Sequence, residues 1–265
     1  MKMLYLAMCW LLLVIVHPVR SQILHSESFA VILDSSKWIK GSVVPDLKFQ
    51  TQKKDLLEFE NNANISMQFK KHALTLANKI ELSKYGSEVL LSGGYLYMEY
   101  QNIIEDTYAF EPFAQLHWSE ARGLELKYAG GLYLRYRLVY NKNIGIFAGL
   151  GSFYEYERWN FTGVDETLIP ENSSDVVTRN FKLGDYLSFK FKPKDYLFCD
   201  VSIYHQSRFN QIFSKPRLAS STSITYSFTE HLGLTIIYQN IYDYHPNVPI
   251  DKLFNKVVFS VAISF

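Results

Sequence analysis

Cysteine is almost absent from this chain: of 265 residues only Cys9 and Cys199 carry a thiol. Two cysteines so placed exclude a disulfide scaffold and every paired-cysteine metal spacing. Proline is sparse (8) and glycine modest (13), with no run of either, so no flexible linker or low-complexity array divides the chain. No charge of one sign dominates. With 27 Lys and Arg against 26 Asp and Glu the net charge is +1, and no basic stripe suggests a nucleic-acid partner. Beyond the N-terminus there is no long apolar run, and the mean hydropathy of -0.06 excludes a bundle of membrane-spanning helices. It does not exclude a membrane barrel, whose strands alternate apolar and polar residues and average near zero. A phosphate-cradling glycine loop and a His-Glu-x-x-His sequence are also missing, and no cofactor is expected.

What is abundant is aromatic: 19 Tyr and 19 Phe bring the aromatic share to 16%. The N-terminus reads as an export leader. Lys2 supplies the positive charge, residues 4–16 form an apolar stretch too short to span a bilayer as a helix, and Val19 and Ser21 occupy the small-residue cleavage positions. The expected division is a cleaved leader at 1–21, a short periplasmic segment at 22–40 and one folded unit at 41–265. Cys9 lies inside the apolar stretch and not at its end, which argues against lipidation. Cys199 is expected to be a small apolar strand residue.

From residue 41 onward the dominant period is two. Between Leu124 and Leu138 the even positions are Leu124, Leu126, Tyr128, Gly130, Leu132, Leu134, Tyr136 and Leu138, while the odd ones include Glu125, Lys127, Arg135 and Arg137. Strands of soluble sandwiches are about 5–6 residues long. This one is more than twice that, and a tilted strand crossing hydrocarbon needs about 9–11 residues. The pattern recurs, giving about twelve strands that begin near Gly41, Leu56, His72, Glu88, Thr107, Leu124, Ile144, Arg179, Tyr196, Pro216, Leu232 and Lys256. Alternate connections are short and polar (70–72, 102–106, 141–143, 192–195, 229–231), and the other set holds the long ones (157–178, 207–215, 243–254). That rhythm predicts an all-β fold, a single antiparallel transmembrane barrel with both termini periplasmic.

Val257, Phe259, Val261, Ile263 and Phe265 form an apolar face ending in a terminal aromatic. An export leader together with such an end points to the outer membrane of a Gram-negative cell, with Phe259 and Phe265 as the assembly signal. The expected partners are outer-membrane lipids and, during biogenesis, periplasmic chaperones and the barrel assembly machinery.

Several stretches resemble the salt-induced outer-membrane protein family, the YdiY-like proteins that carry domain of unknown function 481. They are 133–138, 149–157, 203–210, Arg217-Leu218, 227–234, and Tyr242-Asp243 before Pro246 and Pro249. Where the family tends to have Tyr-Gln-Pro-Arg this chain has His205-Gln206-Ser207-Arg208, and its paired loop prolines are here separated. The resemblance implies a barrel linked to envelope stress and supplies no catalytic residues.

Two groups of residues carry potential chemistry. By parity Glu111, Glu125, Lys127, Arg135, Arg137, Glu155, Glu157, Lys182, Lys190, Asp200 and Arg208 face the bore. They form either an ionic plug that holds the barrel's shape or the lining of a narrow channel for small polar solutes. Glu155 and Glu157 are expected to meet Arg135 and Arg137 across the tight turn at 141–143. The second group is His205 and Ser207, on the lipid-facing parity, with Asp185 on the preceding strand in reach of the histidine. The pair resembles the His-x-Ser of outer-membrane phospholipases and lipid A deacylases, where histidine takes the serine proton. Those sequences continue Asn-Gly; here Arg208-Phe209 follows, so no enzymatic activity is expected. Trp118 and Trp159 read as interfacial girdle residues.

Overall fold

A computed structural model describes residues 38–50, 55–105, 107–162, 164–171 and 174–264. The leader, the segment 22–37 and Phe265 lie outside the described residues. Twelve strands run in order: β1 Ile39–Gln50, β2 Leu56–Phe69, β3 His72–Tyr85, β4 Glu88–Ile104, β5 Tyr108–Ser119, β6 Leu124–Tyr140, β7 Ile144–Trp159, β8 Val176–Lys194, β9 Leu197–Arg208, β10 Arg217–Ser227, β11 Leu232–Asp243 and β12 Leu253–Ser264. Each pairs antiparallel with its sequence neighbours, and β1 meets β12 to close a barrel. The strand count matches the sequence pattern, and every start falls within three residues of its expected place.

The turns at one end are tight because their side chains complete them. The Asn141 side-chain oxygen accepts from the N–H groups of Asn143 and Ile144 at 2.9 Å each, and the Thr229 hydroxyl accepts from His231 and Leu232. The described ends of the chain lie at this short-turn end. At the opposite end stand the loops 160–175, 209–216 and 244–252, together with a two-residue turn at 86–87 that departs from the long-loop rhythm. In the first of these loops the Thr167 hydroxyl and N–H both donate to Asp165, which holds that exposed carboxyl below the usual carboxylate range.

Alternation sorts side chains as expected. Leu134, Leu150, Phe181, Leu187, Ile203 and Phe259 are exposed on the outer face, while Lys127, Arg135, Glu155, Lys182, Lys190 and Asp200 are buried inside. A continuous apolar exterior around a charged interior inverts the arrangement of a soluble protein, and only a hydrocarbon surround accommodates it.

Parity fails at one place with consequences. The β6–β7 register shifts between Leu124 and Leu126, so Glu125 is an extra residue and Leu124 pairs with Trp159. Leu124 therefore turns inward instead of outward. Trp159 is not a girdle residue either: both side chains are fully buried, packed with Val248 under the long loops.

Candidate functional site: the plugged bore

The bore is filled in layers built from inward positions on β4 to β11 and from the long loops above them. Under the long loops lies an apolar lid of Leu124, Trp159 and Val248, against which Phe161, Val164, Val176 and Ile250 pack. Beneath it three cations meet three carboxylates. Lys127 Nζ is 2.7 Å from Glu155 and 3.4 Å from Glu157, and Lys182 also donates to Glu155. Arg217 reaches across the bore from β10 to Glu155 (3.4 Å) and Glu157 (3.2 Å) while its Nε holds Asp243 at 2.9 Å. Asn247, from the last long loop, donates to Glu157 at 2.6 Å and ties that loop to the cluster. Lys127, Glu155 and Glu157 are 0–1% exposed, so water does not reach them. Charges this buried are tolerable only because each has several partners.

The next layer is aromatic. Phe113, Tyr133, Tyr186 and Tyr204 follow one another with ring centroids 5.4, 5.6 and 6.0 Å apart, and Phe153 meets Phe113 edge-on. Glycines in the wall make room for these rings. A Cβ at Gly149 would stand 2.1 Å from Tyr186, and one at Gly184 would stand 2.1 Å from the Tyr133 hydroxyl. Below, Glu111 accepts from Arg135 (2.8 Å), Gln101 (2.6 Å) and the Tyr186 hydroxyl (2.8 Å). Near the short-turn end Lys190 pairs with Asp200 at 2.6 Å beside the buried Ser188 and Ser202.

The inward charges are thus brought together, but not in the pairs expected. Arg135 lies opposite Gly149 and Arg137 opposite Phe147, whereas Glu155 faces Ala129 and Glu157 faces Lys127. Antiparallel partners stand at equal distances from their turn, and Arg135 is far closer to residues 141–143 than Glu155 is. Arg137 stacks on Tyr140, its guanidinium 4.2 Å from the ring centroid. The bulged Glu125 leaves the network and bonds Arg158 and Asn160 near the mouth, while Arg208 is exposed at the end of β9. Arg217 and Asp243, central to the cluster, were missed because each sits at a strand end. The signal was there in the alternation of Arg217, Ala219, Ser221 and Ser223 with Leu218, Ile224 and Tyr226.

The second expected group also assembles in part. Asp185 and His205 are direct cross-strand partners, with Nδ1 3.1 and 3.2 Å from the two carboxylate oxygens. The other ring nitrogen, Nε2, is 3.1 Å from the Ile212 carbonyl. A carbonyl only accepts, so Nε2 carries its proton there and offers no lone pair to a serine. The Ser207 hydroxyl is buried and meets no hydrogen-bond partner among the described residues. The arrangement orients a histidine and anchors the loop 209–216 without building a nucleophile. Cys199 is half-buried and free. Among the described residues no group of three or more His, Cys, Asp or Glu could hold a metal ion.

No family model matches the chain, and no curated protein matches it. Solved structures similar to it include the NanC porin, 12% identical with a TM-score of 0.46 over 86% of this chain and 98% of that one. The KdgM porin is 7% identical with a TM-score of 0.43 over the same shares. The β domain of the Bordetella autotransporter BrkA is 7% identical with a TM-score of 0.38, over 86% of this chain and 97% of that one.

Proposed function

We propose that this chain is an outer-membrane barrel of structural or envelope-stress role whose bore is closed by its own side chains. The observation that carries this reading is the cluster of Lys127, Glu155 and Glu157, buried to 0–1% exposure and tied by Arg217 and Asn247 to the far wall and the last long loop. A conducting pore keeps its charged lining hydrated; here the charges spend their hydrogen bonds on one another. The apolar belt and the apolar face of β12 around Phe259 support a lipid surround and assembly through the closing strand. The resemblance to the salt-induced family supports a role in envelope stress. On this reading the termini and short turns are periplasmic, and the partners are membrane lipids, periplasmic chaperones and the assembly machinery. The protein hydrolyses no ester bond, because His205 Nε2 is engaged by Ile212.

The test is conductance. Purified protein reconstituted in planar bilayers is expected to give no steady current above background. A stable, salt-dependent conductance from the unmodified protein would instead establish the channel for small polar solutes.

A further inference from the structure

The barrel does not close evenly. Among the described residues β1 and β12 share two residue pairs, Ser42 with Ser264 and Val43 with Ile263, while every other neighbouring couple shares ten or more. Past Val43, toward the long-loop end, β1 continues to Gln50 and β12 reaches back to Leu253, yet the two strands are not paired there. Pro45 stands at the second position of the stretch that should have zipped, and proline has no N–H to give a ladder. Two unpaired strand edges are unfavourable against hydrocarbon, which offers their backbone groups no hydrogen-bond partner.

Directly behind this slit lies a charged group separate from the plug. Glu60 is on β2, beside β1, and Lys256 is on β12. Lys79 bridges Glu81 at 2.6 Å and Glu60 at 3.2 Å, and Lys256 comes within hydrogen-bonding reach of Lys79. Glu60 remains 43% exposed, and Lys256 makes no ion pair within 4 Å among the described residues. Glu60 and Lys256 thus gather around Lys79 behind the slit. The lipid face flanking the slit is also unusually polar, with Asn61 bonded to Asn78 on one side and Tyr238 to Asn255 on the other.

We propose that the split between β1 and β12 is a lateral portal that admits, from the membrane, a lipid with a zwitterionic phosphoethanolamine-type headgroup. Its ammonium is received by Glu60 and its phosphate by Lys256, and its acyl chains stay outside against the barrel wall. The headgroup satisfies the open backbone edges that hydrocarbon cannot. This inference rests on the membrane-barrel reading above but is independent of whether the axial bore conducts.

The experiment uses the full barrel in vesicles containing a trace of photoreactive phosphatidylethanolamine, with photoreactive phosphatidylglycerol and phosphatidylcholine in parallel. Illumination is expected to crosslink the ethanolamine lipid to peptides of β1, β2 or β12, with weaker labelling by the other two. Lys256→Gln and Glu60→Gln should each reduce this labelling about tenfold, the effect of one charge-assisted hydrogen bond. In a Cys199→Ser background, Leu47→Cys with Phe259→Cys, which would lie opposite each other if the seam continued in register, should abolish labelling when oxidised and restore it when reduced. Should the disulfide not form, the two single-charge variants decide alone. Inserted, heat-modifiable protein that labels with no lipid, or with all three alike, overturns the portal and leaves the barrel reading standing. Protein that fails to enter vesicles overturns both.

Discussion

The two halves of this barrel solve the same problem differently. From β4 to β10 inward charges are dry and mutually bonded: Glu155 is fully buried among Lys127, Lys182 and Arg217. Around the seam, from β12 to β2, the described inward charges are wetter: none of the described β12 side chains is buried, and Glu60 is 43% exposed. The difference follows from what each wall offers. β6, β7 and β8 carry inward glycines over which aromatic rings lie, so the bore narrows until ions can reach across it. Among the described residues only two residue pairs hold the edge strands at the seam. A charge is held tightly where the wall is thick with partners and stays solvated where the wall is open.

The sharpest way to break this contrast is to remove the centre of the dry cluster. Glu155→Leu leaves three cations without their shared carboxylate and is expected to cost about 3–5 kcal/mol. The readout is the midpoint at which the folded band is lost on heating in a gel-shift assay. A midpoint near that of the unmodified protein would mean that water already reaches the cluster and the two halves do not differ.

Phe259→Asp tests the other half at its lipid face. A carboxylate on the outer side of β12 costs about 2 kcal/mol near the bilayer centre. With Phe265→Asp added, the expected outcome is unassembled protein in the periplasm, measured by fractionation. Normal membrane integration would refute the role given to the closing strand.

Gly149→Ala places a methyl group where the Tyr186 ring lies and should cost about 1–3 kcal/mol by pushing that ring off its hydrogen bond to Glu111. A silent substitution, by the same thermal assay, would show that the ring layer can shift freely.

Arg135 and Arg137 separate cleanly. Arg135→Leu takes from Glu111 its guanidinium and should cost about 2 kcal/mol. Arg137→Leu gives up a stacking contact worth about 0.5–1 kcal/mol. Equal losses would restore the pairing with Glu155 and Glu157 that the register excludes. Smallest of all should be Glu60→Gln, under about 1 kcal/mol, since an exposed ion pair contributes little.

Much of the architecture was legible because a period of two is a local property. Strand starts such as Leu56, His72, Ile144 and Leu232 stand where the alternation and turn residues put them. The charges lining the bore were legible for the same reason. Their partners were not. One extra residue at Glu125 turned Leu124 from the expected lipid face into the lid, beside Trp159, which shares the inward parity of Glu155 and Glu157 on β7. Bulges depend on how two strands fit together, and no single strand announces one. For the His205 pair, parity brought Asp185 alongside, but the carbonyl that occupies Nε2 comes from a loop seven residues on.

By itself, then, the sequence determined that this is a barrel, how many strands it has, and which face of each meets lipid, because alternation and turn chemistry act within a few residues. Only the tertiary structure decided which charge meets which. Arg217 and Glu155 are 62 residues apart in the chain, and they meet only because curvature and register carry β10 across the bore from β7. The seam was equally invisible. Whether two strands at opposite ends of a chain pair along their length depends on closing the whole ring, to which every register shift between them contributes.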